Sequence, residues 1–292
     1  MQTHTDKIWI SLDKEVSTVK ELVDHIISCG YIADAPDQQE QDENFVYNYG
    51  YPRTFSRGTT TLASRLVDLV EDADIMVTDN HLLVPHEGKI ISALPEFWCQ
   101  WRFEPEYINR PATIGYNCFM NRERGERDRI FELLKKRNIL DKGLVSYLDR
   151  GYDTVNAHGT LEQCIIDTNI SLISETYVID KAVVFSEKIF RALQIPRPWL
   201  LFCSCKSIEL LKQYGFDVLD DYVDTSYDTI KIAWNRMDAI LDQLETFINR
   251  RYTPKDYERF RQAAKHNQDL LEQYEKSWPL KLAEIKHRIR LA

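Results

Sequence analysis

Between Ser171 and Asp228 the chain gathers residue types suited to a charged, hydroxyl-bearing ligand: Glu175, Ser186, Glu187 and Lys188, then Ser226, Tyr227 and Asp228. Ser171 to Ser174 is apolar and short enough for a buried strand, and it delivers Glu175 to the strand's carboxyl end, where open α/β sheets keep their ligands. Ser186 can cap a helix whose first turn holds Glu187 and Lys188, with Ile189, Phe190, Ala192 and Leu193 turned inward at helical spacing. Backbone N–H groups and a lysine at a helix start suit phosphate. The same residues also make a plain helix cap. Pro196 and Pro198 end that helix, Trp199 to Cys203 form a second buried strand, and Leu210, Leu211 and Tyr214 belong to a further helix. Gly215 stops it in a left-handed turn with Phe216 packing behind.

A second chemical patch runs from Tyr116 to Leu134, YNCFMNRERGERDRIFELL. It reads as a strand entering Asn121–Arg122, a basic turn with Gly125, and a helix. Glu123, Glu126 and Asp128 interleave with Arg122, Arg124, Arg127 and Arg129, so the cluster is either a solvated helix start or a site that uses only some of its arginines. A guanidinium and an ammonium brought from two helix starts could neutralise a diphosphate leaving group as its charge develops.

A glutamate ending a strand, a loop, S-E-K opening a helix, a Pro-led strand and a helix closed by Gly215–Phe216 resemble the C-terminal domain of fucosyltransferase-like glycosyltransferases. The chain is similar also to glycosyltransferases of large tailed phages and marine viruses. There an acidic S-Y-D follows the G-F, matched here by Ser226–Tyr227–Asp228, and L-x-x-G-x-V-S follows the basic turn, matched by Leu140, Gly143, Val145 and Ser146. The resemblance spans roughly Ile114 to Arg236 and departs from the family's E-N-S at Glu175–Thr176–Tyr177. It implies that Arg127 and Lys188 bind the donor diphosphate and that Glu187 binds the nucleotide. Arg122 and Ser186 belong to the same donor-binding set, Glu175 holds ribose or sugar hydroxyls, and Tyr227 and Asp228 lie near base or sugar. The implied fold is α/β, with two Rossmann-like domains facing a cleft in the GT-B manner and C-terminal helices returning to the domains.

The flanking elements agree with an α/β chain of 292 residues. Lys7 to Leu12 is an opening strand, Thr18 to Cys29 an amphipathic helix, Asn44 to Tyr51 a strand, Gly58 to Val70 a helix, and Asp74 to Val77 a strand, which predicts parallel pairing. The polar stretch Asp34 to Glu43 reads as a surface loop. After the strand at Val77 comes a segment carrying Asp79, His81, His86 and Glu87. Three readings fit it: a metal cluster, a catalytic base loop, or a polar loop. In a glycosyltransferase the acceptor's general base falls among Asp79, His81 and Glu87. Past Asp228, the spacing of Ile230, Trp234, Met237, Ile240, Leu241 and Leu244 predicts one long helix; Pro254 starts another to about Tyr274, and a last piece runs Leu280 to Ile289. The expected domains are 1–111 on the acceptor side, 112–228 for the nucleotide sugar, and 229–292 as helices that pack back.

Net charge is −9, which argues against a surface that wraps nucleic acid, although basic residues gather between Arg250 and Arg290. Six scattered cysteines form no disulfide framework. No apolar run is of membrane-spanning length and Met1–Lys7 is polar, from which a cytoplasmic protein is expected. The expected activity is metal-independent glycosyl transfer, with no cofactor beyond a nucleotide-diphosphate sugar as donor substrate. The acceptor is a glycan hydroxyl or a hydroxymethylated base of phage DNA. Two alternatives are a non-catalytic sugar-nucleotide or partner-binding protein on the same fold and a metal-dependent hydrolase at His81, His86 and Glu87.

Overall fold

The computed structural model describes residues 8–12, 47–49, 75–78, 81–82, 90–92, 111–175, 178 and 182–291. Packing divides the chain into two compact units: Met1–Phe97 with Lys181–Val183 and Gln273–Ala292, and Trp98–Asp180 with Val184–Glu272.

In the first unit, β1 (Ile8–Leu12), β2 (Tyr47–Tyr49), β3 (Ile75–Thr78) and β5 (Ile90–Ser92) form a sheet in the order β2-β1-β3-β5, every pair parallel. The parallel pairing expected of the opening strands is present. A separate short ribbon pairs β4 (His81–Leu82) antiparallel with β10 (Ala182–Val183). The helices expected at 18–29 and 58–70 lie outside the described residues.

The second unit holds a sheet of five strands, ordered β11-β9-β6-β7-β8: β6 (Ile114–Met120), β7 (Gly143–Tyr147), β8 (Tyr152–Asp153), β9 (Thr168–Ser174) and β11 (Trp199–Phe202). All neighbours are parallel except the edge pair β7 and β8. The chain starts at β6, steps to β7 through α1 (Gly125–Lys136), and returns through α2 (Leu161–Asp167) to the other side of β6 as β9. Then α3 (Glu187–Leu193) leads to β11, followed by α4 (Ser207–Gln213), α5 (Ala233–Ile248) and α6 (Pro254–Leu291). Every residue of β9 is buried, as a parallel strand covered on both faces requires.

The helices are held by side chains that satisfy main-chain groups at their ends. Asn169 Nδ2 donates to the carbonyls of Phe247 (3.2 Å) and Ile248 (3.1 Å) at the carboxyl end of α5. Asn267 Nδ2 on α6 donates to Leu193 O at the end of α3 (3.0 Å), and its Oδ1 accepts from Asp217 N (2.8 Å). Buried Arg236 donates through Nε (3.1 Å) and Nη2 (2.9 Å) to Cys203 O just past β11.

The carboxyl-terminal helices differ from expectation in two respects. Ile230 precedes α5 and Trp234 is 47% exposed, so the buried stripe is instead Arg236, Met237, Ile240, Leu241, Leu244 and Phe247. Arg236 replaces the tryptophan inside because its guanidinium finds the Cys203 carbonyl. The helix from Pro254 does not break near Tyr274; it runs through Pro279 to Leu291, the proline removing one helical N–H without ending the helix. Two elements, β8 and α2, stand between Tyr152 and Asp167, where the sequence reading assigned neither strand nor helix.

Gly115 permits close packing on β6, and Gly125 does not need to. A Cβ on Gly115 would sit 2.7 Å from Lys142 O and 2.9 Å from Ile248 Cγ2, whereas one on Gly125 would meet nothing within 4 Å. Gly115→Ala is expected to cost about 1–3 kcal/mol in denaturant unfolding, because a backbone carbonyl cannot give way. Gly125→Ala, in the first turn of α1, is expected to be neutral or to stabilise by about 0.4–1 kcal/mol. Equal effects of the two would refute the packing argument.

Candidate functional site

β6 and β9 are neighbours and parallel, and the chain leaves their carboxyl ends toward different helices, the arrangement that opens a crevice in α/β sheets. The Arg122–Arg127 turn follows β6 and Glu175 follows β9. Glu175 is 2% exposed. Its Oε1 accepts from Ser186 N (3.1 Å) and its Oε2 from Ser186 Oγ. Ser186 Oγ in turn accepts from Lys188 N (3.4 Å), which is the expected cap of α3. Lys188 then reaches back to donate from Nζ to Ser174 O (3.1 Å). Helix α3 has only seven residues, so the side chains rather than a long helix dipole supply the positive charge.

Arg127, 3% exposed on the first turn of α1, donates from Nη1 to Arg122 O at 3.1 Å. Arg122 itself is exposed and contributes this carbonyl. Among the described residues Arg127 Nε has no hydrogen-bond partner. Two of the acidic residues that interleave with these arginines are engaged elsewhere: Arg150 Nη2 pairs with Glu123 Oε1 at 2.6 Å and with Asp128 Oδ1 at 2.8 Å, and Tyr147 OH also donates to Asp128 (2.9 Å).

The electrostatics show one cluster. Burial lowers the tendency of Lys188 to hold its proton; Glu175 opposes that, Arg127 adds to it, Glu187 opposes it, and Arg124 adds again. Arg127 is lowered by burial first and by Arg124 next, with Glu175 acting the other way. The Glu175 carboxyl is raised by burial, against the pull of Lys188 and the bonds from Ser186. Three cations, Arg124, Arg127 and Lys188, thus act on one another around two carboxylates, Glu175 and Glu187. Burial pushes the nearby Cys118 and Cys203 thiols up to about 12, which leaves them unreactive.

The remaining expected residues are placed as follows. Tyr227 is buried and its hydroxyl accepts from Leu201 N on β11 (3.0 Å). Asp228 Oδ2 accepts from Ile208 N (2.9 Å) and Glu209 N (3.0 Å), capping α4 from a distant segment. Both groups, expected near base or sugar, are engaged in joining β11 and α4. His81 lies in β4, opposite Val183, with only its backbone described. Asp79, His86 and Glu87 lie outside the described residues.

Sequence reasoning missed a polar group on β6. Asn117 Nδ2 donates to Thr168 Oγ1 (2.6 Å) and Ser171 Oγ (2.9 Å), both on β9. An asparagine inside an apolar strand was the available signal, since a buried amide needs partners. The same holds for α2, where Thr160 and Gln163 form the T-x-x-Q pattern of a capped helix and Thr160 Oγ1 accepts from Gln163 N (3.2 Å).

Comparison of the chain with protein-family models, curated proteins and solved structures gives no match.

The raised Glu175 carboxyl has a sign that can be checked. The folded chain keeps this proton after the unfolded chain has lost it, so the group's contribution to stability falls as pH climbs from the ordinary value of 4.5 through the folded one. Glu175→Gln is expected to lessen the fall of unfolding free energy as pH rises above 4.5. An unchanged slope would mean that burial does not raise this carboxyl in the folded chain.

Proposed function

We propose that the chain is a glycosyltransferase of the GT-B kind. On this reading two Rossmann-like domains face a cleft, and a sugar passes from a nucleotide-diphosphate donor to an acceptor hydroxyl of a glycan or a hydroxymethylated base. One observation carries the proposal: Arg127 and Lys188, brought from the starts of two helices at the carboxyl ends of adjacent parallel strands, share one cluster in which Arg127 and Arg124 both oppose the charge of Lys188. An anion placed there relieves both at once. The resemblance of the two basic and acidic motifs to donor-binding motifs supports the same assignment.

In this mechanism the acceptor oxygen forms its bond to the sugar's anomeric carbon as the bond from that carbon to the diphosphate oxygen breaks. The departing electron pair becomes negative charge on the diphosphate, which Arg127 and Lys188 neutralise without requiring a metal. The acceptor proton goes to a base, for which Asp79, His81 and Glu87 are the candidates. Glu175 positions Lys188 through Ser186. Glu187, half-buried beside Lys188, is the carboxylate available to sugar or ribose hydroxyls.

The test is a melting screen of inorganic pyrophosphate, nucleoside diphosphates and nucleotide sugars against wild type and Lys188→Ala. At about a hundred times its dissociation constant a true ligand stabilises the folded chain by about 2.7 kcal/mol. The expected outcome is a shift in wild type that the variant loses, accompanied by slow release of nucleoside diphosphate from one sugar donor. Binding without release would point instead to a sugar-nucleotide-binding protein. No shift with any phosphate compound would overturn the proposal.

A further inference from the structure

Between β9 and α3 the chain enters the first unit for Lys181–Val183 and returns to the second at Val184. Glu175 precedes this excursion and Ser186 follows it, and the two are bonded through Ser186 N (3.1 Å) and Ser186 Oγ. Inside the first unit the visiting segment is β10, with Ala182 opposite Leu82 and Val183 opposite His81. Among the described residues β10 is the one strand paired with β4, which stands outside the sheet β2-β1-β3-β5. The main chain at His81, just past the carboxyl end of β3, thus has its strand partner delivered by the same connection that carries the donor-site lysine.

A ladder of two residues on each side is marginal by itself, so its formation depends on how β10 is presented. That presentation is fixed a few residues further on. Val183 is fully buried and Val184 and Phe185 are 1% exposed; Cys203 Sγ lies 3.6 Å from Val184 O, and the Phe185 ring meets that of Phe190 edge-on at 6.0 Å. A buried, packed link passes displacement along rather than absorbing it. Lys188 is tied to the same point twice, from its N to Ser186 Oγ (3.4 Å) and from Nζ to Ser174 O (3.1 Å). We infer that β10 is a positioning strand: the clasp of Glu175 on Ser186 holds it against His81–Leu82, so an anion taken up by Lys188 tightens the His81 segment as well. The path from clasp to ribbon stands on the geometry alone; that it serves glycosyl transfer, with His81 as base, rests on the function proposed above.

The experiment follows amide hydrogen exchange in β4 and β10, with β1 and β3 of the same unit as controls. It compares wild type, Ser186→Ala and a chain with two glycines inserted between Val183 and Val184, each with and without inorganic pyrophosphate, while calorimetry records whether pyrophosphate binds. In the free protein, Ser186→Ala is expected to exchange about tenfold or more faster in β4 and β10, having lost a bond to a buried carboxylate, with β1 and β3 unchanged. Pyrophosphate is expected to slow exchange in β4 and β10 of wild type but not of the insertion variant, which still binds it. In transfer from a nucleotide sugar the insertion variant should lose up to about a hundredfold in kcat with donor KM unchanged, the signature of a misplaced group rather than a weakened site. Unchanged exchange in β4 of Ser186→Ala would overturn the inference, as would an increase shared equally by β1 and β3, which reads general loosening. Protection by pyrophosphate that persists in the insertion variant would overturn it too. Failure of pyrophosphate to bind would sink the function proposed above, while the Ser186→Ala comparison would still decide for or against the positioning strand.

Discussion

The buried carboxylate of Glu175 is the constraint around which the second unit's site is arranged. A charge at 2% exposure is tenable only when both oxygens have partners. Ser186 supplies them from its N–H and its hydroxyl, tying the residue that ends β9 to the residue that starts α3. That closure sets where Lys188 stands, and the bond from its Nζ to Ser174 O completes a small ring of contacts around the strand end.

Strand order explains why a second cation meets the first. Because the chain begins the sheet in its middle at β6 and later returns to β6's other side as β9, the connections leaving these two carboxyl ends run to different helices. One carries Arg127 and the other Lys188. The first unit's parallel sheet repeats the pattern by itself, with β1 between β2 and β3. In both sheets the first strand lies inside the sheet with later strands on either side, an arrangement fixed by topology before any side chain is considered.

Much of this was legible in the residues. The strand before Glu175, the cap at Ser186, the left-handed stop at Gly215 (φ 89°) and the basic turn before α1 all follow from local chemistry, and each is present. Long-range satisfaction was not legible. Asp228 looks like an exposed acid in an acidic run, yet its carboxylate caps α4, and nothing local to Ser226–Asp228 announces that partner. Trp234 fits an apolar stripe, but the place inside went to Arg236 because an unpaired carbonyl after β11 rewarded a guanidinium more than an indole. Asn117 was passed over for the same reason: its partners lie 51 and 54 residues away.

The cation cluster is costly to the free protein, and that cost is informative. Ion pairs drawn from water seldom repay their desolvation, and well-packed apolar residues of similar size would often be neutral or stabilising in their place. Here Arg124 and Arg127 both oppose the charge of Lys188, while Glu123 and Asp128 are paired with Arg150. Stability alone gives no reason for cations that oppose one another at the carboxyl ends of two parallel strands. A bound anion does, because the unfavourable terms of the empty site become favourable ones when it arrives, and the preorganised donors then need little rearrangement. The same argument explains why Glu175 is retained. It holds Lys188 in place through Ser186 and offsets part of the charge in the free protein.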